Sequence, residues 1–450
     1  MERSWNVRRG WYAVGLLGAL YVVAFVDRMI LGLLVEPLRR DLHIDDTQIS
    51  LLMGPAFAIF YAVVALPLGR TADVSNRKWL VVGAAVIWGV CTLGSGFANT
   101  FWLLCVLRIG VAIGEAALTP ACVSLISDLF PPEDRAQATS VYMAFGALGA
   151  TGAYILGGLA VGAAEALPPI VLPLTGLLRP WQEVLLGVGA PSLLLAAVLA
   201  LTIREPAREQ AAAPAAAGLT LAWIRGPYWP VFLMFIATAI GQVIVYGLGG
   251  WAPTYLVRQF HWAAGAAGIA VGVASMTASI TGMLISPKLA EMWSARGRTD
   301  APMLVLAAGL LLGFPLVIVS ALAPTAAGFL GFFAAGMVFI MGTGVMPFIA
   351  IQWAVPSRLR GETLAAGLLG NSLTGIAIGP TAVVLASHIF PGDQASHLGQ
   401  GIALVAAVCG PLAAICVLAL RKPMTRLLAA KGEEAALIRE VPAVLVGETA

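Results

Sequence analysis

Four ionisable residues stand inside otherwise apolar runs: Asp27 and Arg28 in "FVDRMILGLLV", and Arg108 and Glu115 in "RIGVAIGEAALTPACVSLISDLFP". A charge at the middle of a bilayer costs roughly 2.5–3.5 kcal/mol on insertion scales, so such residues ordinarily face a cavity and mark a substrate or proton route. Arg108 and Glu115 are two helical turns apart, on nearly the same face and about 10 Å from each other along the axis. Asp27 and Arg28 are consecutive and point about 100° apart. Burial disfavours a charged carboxylate and a nearby guanidinium restores it, so Glu115 can alternate between a neutral state and a pair with Arg28 or Arg108. Glu115 is therefore the expected proton-coupling group, and Asp27 a second carboxylate that orients the cluster. Arg28 and Arg108 are the expected ion-pair partners and anchors for an anionic head group. Sodium binding by the same carboxylates stays open, as does a static charge network that only fixes packing. Against the static network, the positions 225 residues later are apolar, Phe333 for Arg108 and Ile340 for Glu115.

These residues need membrane-spanning helices to hold them. The 450 residues are 60% hydrophobic and 11% charged, whereas a soluble surface ordinarily takes about 25% charged residues. The net charge of +3 is dispersed, which argues against a nucleic-acid partner. Cys91, Cys105, Cys122, Cys409 and Cys416 lie in apolar segments without metal-binding spacing and read as small core residues. A span needs roughly 20 apolar residues, and twelve segments qualify: 11–34, 49–69, 79–98, 101–126, 137–163, 184–203, 229–256, 265–289, 302–322, 325–349, 363–386 and 399–420. The first is too long for a cleaved signal, lacks a small-x-small site and bears the Asp-Arg pair, so it is expected to be retained. With both termini inside, all but six of the 26 Lys and Arg lie on the inner side. The exceptions are Arg39, Arg40, Arg179 and Arg258 outside, and Arg28 and Arg108 within spans. The positive-inside rule then places both termini in the cytoplasm.

The chain divides at "REPAREQAAAPAAAGLTLAWIRGPY", a charged and Ala-rich stretch that reads as a linker. The expected units are a six-helix bundle over 1–203, a cytoplasmic linker over 204–228, a second six-helix bundle over 229–420 and a cytoplasmic tail over 421–450. "FPPEDRAQATS" after the fourth span and "VPSRLRGETLA" after the tenth share an apolar residue, Pro, polar residues, Arg and a small residue, as a duplicated unit requires.

Twelve spans in two parallel halves, with "GRTADVSNRK" between spans two and three, resemble the major facilitator superfamily and its Gly-x3-Asp-x3-Arg-Lys loop. The resemblance implies an all-α polytopic fold of two pseudo-symmetric bundles and a cytoplasmic gate formed by Gly69, Asp73, Arg77 and Lys78. Gly69 permits a tight helix exit there, and Asp73 can cap a neighbouring helix. "FVDR", "DVSNRKWL" and the fourth span together resemble the spinster family, densest over about residues 20–145, and the compact chain looks like a bacterial relative in the inner membrane. That resemblance implies a secondary transporter of lysolipid-like amphiphiles.

By analogy with the fold, Tyr246, Trp251, Thr343, Phe348, Asn371 and Thr374 are the expected cavity residues of the second half. Few polar and many apolar groups suit an amphipathic cargo whose head group Arg28 and Arg108 hold. The expected partners are this small substrate, protons and membrane lipids, with the chain a monomer. There is no phosphate-binding loop, His-Glu-x2-His or Gly-x-Ser-x-Gly, hence no case for ATP-driven pumping, a hydrolase, a cofactor or a metal. Two other readings compete: a proton-coupled drug or small-metabolite antiporter, and a non-transporting sensor or scramblase on the same fold.

Overall fold

The structure, a computed structural model, describes residues 7–172, 176–206, 229–344, 346–355, 357–392 and 394–440. The first half runs through α1 (Val7–Met29), a 3-10 turn (Ile30–Leu33), α2 (Val35–Leu42), α3 (Asp46–Met53), α4 (Pro55–Val74) and α5 (Arg77–Ser95). It continues with α6 (Phe101–Ala116), α7 (Leu118–Leu129), α8 (Pro132–Ala166), a small antiparallel hairpin of β1 (Val171–Leu172) and β2 (Gly176–Leu177), and α9 (Pro180–Thr202). The second half comprises α10 (Trp229–Phe260), α11 (Ala264–Ala295), α12 (Ala301–Ala321), α13 (Ala326–Thr343), α14 (Met346–Ala354), α15 (Ser357–Ser387) and α16 (Leu398–Glu440).

Eleven stretches among the described residues are long and apolar enough to cross a membrane. The remaining expected span, 363–386, lies within the continuous 31-residue helix α15. Of the expected linker, residues 207–228 lie outside the described residues, and the expected tail continues α16 as helix to Glu440.

Local chemistry sets the helix ends. Asp45 accepts from the Gln48 amide at 2.7 Å while Gln48 Oε1 accepts from the Asp45 amide at 3.0 Å, a reciprocal cap that starts α3. Asn76 caps α5 by accepting from the Trp79 amide at 3.1 Å, and Thr100 and Thr325 do the same for α6 and α13. The fourth span of each half is broken. Pro120 offers no N–H to the Ala116 carbonyl, and the ladder stops between α6 and α7 directly after Glu115. Pro347 stands in the same relation to Thr343, between α13 and α14.

Within the first half α1 packs on α8 and α5 on α9; within the second α10 packs on α15 and α12 on α13 and α16. The halves meet where α8 lies against α11, α4 against α15, and the 3-10 turn against α10. At this last contact backbone meets backbone: a Cβ on Gly32 would stand 2.7 Å from the Gly250 carbonyl oxygen.

The face bearing the α4–α5 turn and residues 203–206 is here called the linker face, and the opposite one the distal face. The distal face is closed by ion pairs between the halves. Arg258, at the end of α10, donates to both oxygens of Asp46 at 2.7 and 2.8 Å and to Glu36 at 2.6 Å. Arg39 adds a 3.2 Å pair to Asp46, and the Thr254 hydroxyl donates to the Gly32 carbonyl at 3.2 Å.

Candidate functional site

α1 and the broken α6–α7 span bring the four intramembrane charges together. Arg28 Nη2 donates to Glu115 Oε2 at 2.5 Å across 87 residues of sequence. Arg108 Nη1 lies 3.4 Å from Asp27 Oδ1 and also donates to the Asp27 carbonyl at 3.2 Å, with Nη2 3.5 Å from the Arg28 carbonyl. Asp27, Arg108 and Glu115 are buried, and Thr92 of α5 donates its hydroxyl to Asp27. The two acids and two bases therefore divide into two pairs. Arg108–Asp27 is tied into backbone and Thr92, whereas Arg28–Glu115 rests on one oxygen: Glu115 Oε1 and Arg28 Nε meet no protein partner.

Aromatic rings complete the surroundings of Arg28. Its guanidinium carbon lies 4.8 Å from the Phe57 ring centre, 5.1 Å from Phe25 and 5.6 Å from Tyr61, and the Arg108 carbon lies 5.6 Å from the same Phe57 ring. Both cations thus lie against the same Phe57 ring, which attracts positive charge without binding it covalently or neutralising it. A narrow cavity beside Arg28 is lined by Met53 and Tyr154 of the first half and by Tyr246, Ile376 and Pro380 of the second, so the guanidinium faces the boundary between halves.

The expected second-half residues separate into three places. Thr343, Phe348 and Asn371 line one cavity of about 70 Å³. Tyr246 lies at the cavity beside Arg28, and its hydroxyl faces Ser372, which lines the first cavity. Thr374 instead belongs to an apolar groove of about 480 Å³ with the exposed Ile378, Val408 and Leu412, on the outside of the bundle. Trp251 lines none of these: it is fully buried and its indole donates to the Pro380 carbonyl at 3.0 Å, so it is a packing residue of the α10–α15 contact.

The loop after the second span differs from its expected form at Gly69. This residue is interior to α4, five residues before Val74, and a Cβ there would meet nothing within 4 Å, so it serves neither a helix exit nor a close approach. The side chain of Asp73 lies outside the described residues. Arg77 pairs with its own half and the start of the linker, donating to Asp128, to Glu205 at 2.8 Å and to the Ser124 carbonyl at 3.2 Å. Glu205 also accepts from the backbone amides of Arg77 and Lys78 at 3.2 and 2.8 Å, satisfying the free donors that open α5. The Lys78 ammonium lies 4.9 Å from the Trp79 ring.

Sequence reasoning missed Thr92, Phe57, Tyr61, Thr238, Gln242 and Ser372. Gln242 had a signal, being an unbranched polar side chain in the apolar run "FIATAIGQVIVYG". Phe57 had none, because an aromatic facing a cation reads the same as one facing lipid.

A family profile described as the Major Facilitator Superfamily matches residues 17–380. An "MFS-type efflux pump" of Mycolicibacterium smegmatis is 29% identical over 418 residues, 91% of this chain and 92% of the pump. "Protein spinster homolog 1" of Homo sapiens is 28% identical over 261 residues, which cover 55% of this chain and 46% of that protein. Among solved structures, a bacterial homolog to the human lysosomal transporter Spinster, in an inward-facing and occupied conformation, aligns with a TM-score of 0.77 at 23% identity over 95% of this chain and 97% of the other. The nucleoside transporter NupG aligns with a TM-score of 0.68 at 13% identity over 90% and 98%. The likeness of these two structures is one of fold.

Proposed function

The chain belongs to the Major Facilitator Superfamily of membrane transporters, and from that premise we propose that it is a proton-coupled secondary transporter moving an amphipathic, lysolipid-like anion by alternating access. The observation that carries this reading is the pair between Arg28 and the buried Glu115 in the first half, joined through a single carboxylate oxygen at 2.5 Å. While Glu115 is charged it holds Arg28. A proton on Glu115 releases the guanidinium to an anionic head group, and Arg108 stays with Asp27 throughout. Proton and anion are then taken up together, because only the protonated site presents a free cation.

Residues 1–203 and 229–420 are the two bundles that rock against each other around this site, 204–228 is the linker and 421–450 the tail. The linker face is the cytoplasmic face of the inner membrane, an orientation supported by the distribution of Lys and Arg. With the distal ion pairs closed, the captured arrangement is inward-facing. The chain works as a monomer in lipid, and Asp73, Arg77 and Lys78 belong to the cytoplasmic gate.

Purified protein in proteoliposomes tests this. An imposed pH gradient should drive accumulation of a lysophospholipid or sphingoid phosphate; accumulation that ignores the gradient would remove the coupling claim. The second reading, a drug or small-metabolite antiporter using the same carboxylates, is favoured by the efflux-pump likeness over 91% of this chain. Dyes and metabolites in the same panel separate the two, and a protein that moves nothing in either direction is the sensor of the third reading.

A further inference from the structure

The cavity at the broken span of the second half differs in chemistry from the charged cluster of the first. Its polar lining consists of Thr238, Gln242, Thr343, Asn371 and Ser372, with Phe348 among the apolar walls, and none of the described residues lining it is ionisable. At about 70 Å³ it has room for roughly two waters, or one small group carrying a hydroxyl.

The hydrogen bonds already made leave a defined set free. Asn371 Nδ2 donates to Thr238 Oγ1 at 2.9 Å across α10 and α15, which tethers the Asn371 amide to the wall, while the single Thr238 hydroxyl proton has the Phe235, Met234 and Asn371 oxygens as acceptors at 3.0, 3.1 and 3.2 Å. The Thr343 hydroxyl donates back to the Ile340 carbonyl at 2.6 Å and so presents only its acceptor side. The Gln242 amide makes no hydrogen bond among the described residues and borders the cavity, where it offers both a donor and an acceptor. Pro347 brings no N–H to the Thr343 carbonyl, so that carbonyl lacks its i+4 helical donor where the span breaks.

We propose that this cavity is a recognition site for a neutral hydroxyl-bearing group of the cargo, with Gln242 as its principal contact and the Thr238–Asn371 pair as its fixed wall. A hydroxyl both donates and accepts, which matches Gln242. An ionised group would enter without a counter-charge, and a purely apolar one would strand the Gln242 amide. The site lies apart from Arg28 and Glu115 yet borders them through Tyr246, which lines the Arg28 cavity and lies beside Ser372 of this one. Selection among cargoes is thereby separated from the charge that drives them. The inference rests on the transport reading only for the probe chosen first.

Thermal stabilisation of purified protein by matched probes tests it. The first pair is 1-oleoyl lysophosphatidate, which has a free hydroxyl, and its 2-deoxy analogue; the second is a panel of neutral polyols and sugars with their deoxy counterparts. Wild type should bind the hydroxylated member about 10-fold or more tightly, because a site built to bond a hydroxyl rejects the analogue lacking it. Gln242→Leu should abolish that preference and leave affinity for the deoxy probe within about 3-fold. Glu115→Gln should keep the preference, so persistence of selectivity without coupling separates the two claims. If lysophosphatidate gives no binding, the same Gln242-dependent preference must appear in the polyol panel. Equal affinity of wild type for hydroxylated and deoxy members in both arms, or a preference that survives Gln242→Leu, overturns the assignment.

Discussion

Arg258 reaches from the second half to Asp46 in the first through two parallel bonds of 2.7 and 2.8 Å, the geometry in which a guanidinium and a carboxylate match best. Glu36 and Arg39 surround that contact, and half of its members are shielded from solvent. The distal closure is thus electrostatic at its rim and made of touching backbone, Gly32 against Gly250, just beneath.

Arg258→Gln should weaken the closed distal face by about 1–3 kcal/mol, between the worth of an exposed pair and the cost of breaking a buried one. Spin-label distances across the distal face should shift toward the open population, and high salt should produce a smaller shift in the same direction. A distance distribution identical to wild type would show that the backbone contact alone sets the closure.

Glu115→Gln mimics the protonated carboxyl permanently. It should retain binding of an anionic amphiphile and lose accumulation driven by a pH gradient, since the driving proton has no site. Arg28→Ala should do broader damage, removing the anchor and leaving Glu115 buried without a partner, a loss of about 3–5 kcal/mol when one member of a buried pair is deleted. In a static packing network both variants would instead lower thermal stability while residual transport still followed the gradient.

Thr92→Val keeps the shape of the side chain and removes the hydroxyl that Asp27 accepts from. A buried hydrogen bond to a charged group supports about 1.5–3 kcal/mol. The expected loss in thermal unfolding should largely vanish in the Asp27→Leu background, where no acceptor remains for the Thr92 hydroxyl, because the two residues act as one unit. Additive losses in that double-mutant cycle would place Thr92 outside the charge network.

On the distal loop, burial raises the Asp41 carboxyl, but hydrogen bonds from Arg40 and Trp181 and the charge of Arg179 outweigh it and hold the group below its ordinary value of 3.8. A carboxyl depressed in the folded state adds stability that is fully present above the unfolded value and is lost as pH falls through the folded one. The stability difference between wild type and Asp41→Asn should therefore be constant from pH 5 to 8, and shrink only below about pH 4. The Trp181 indole, which donates to Asp41 Oδ2 at 2.8 Å, reports the change by its fluorescence. A difference that varies between pH 5 and 8 would assign the titration to another group.

The intramembrane cluster was legible because charge contrasts with apolar surroundings, and position along a helix fixes its depth. Which guanidinium meets which carboxylate was not: Glu115 can reach either Arg28 or Arg108 from its helix face, and the packing of α1 against the broken span, through α7, selects Arg28. Trp251 and Tyr246 sit five residues apart on one apolar helix, yet one is sealed against Pro380 and the other borders a cavity. Residue type does not separate these outcomes, because both rings satisfy the same hydropathy. Gly69 misled for a related reason. A glycine before a turn is a common exit signal, but nothing in the five residues that follow it ends the helix until Ser75.

The 87 residues between Arg28 and Glu115 also have a consequence for biosynthesis. At the usual 5–20 residues per second, the ribosome needs roughly 4–17 s to make that interval. Through most of that time Asp27 and Arg28 are already in the nascent chain while neither Arg108 nor Glu115 has yet been made. The nascent first helix therefore waits with two uncompensated charges, held by the insertion machinery or at the lipid head groups, until the fourth span arrives to neutralise them. Assembly of this bundle is thus ordered by charge: the segment translated first is completed only by one translated seconds later.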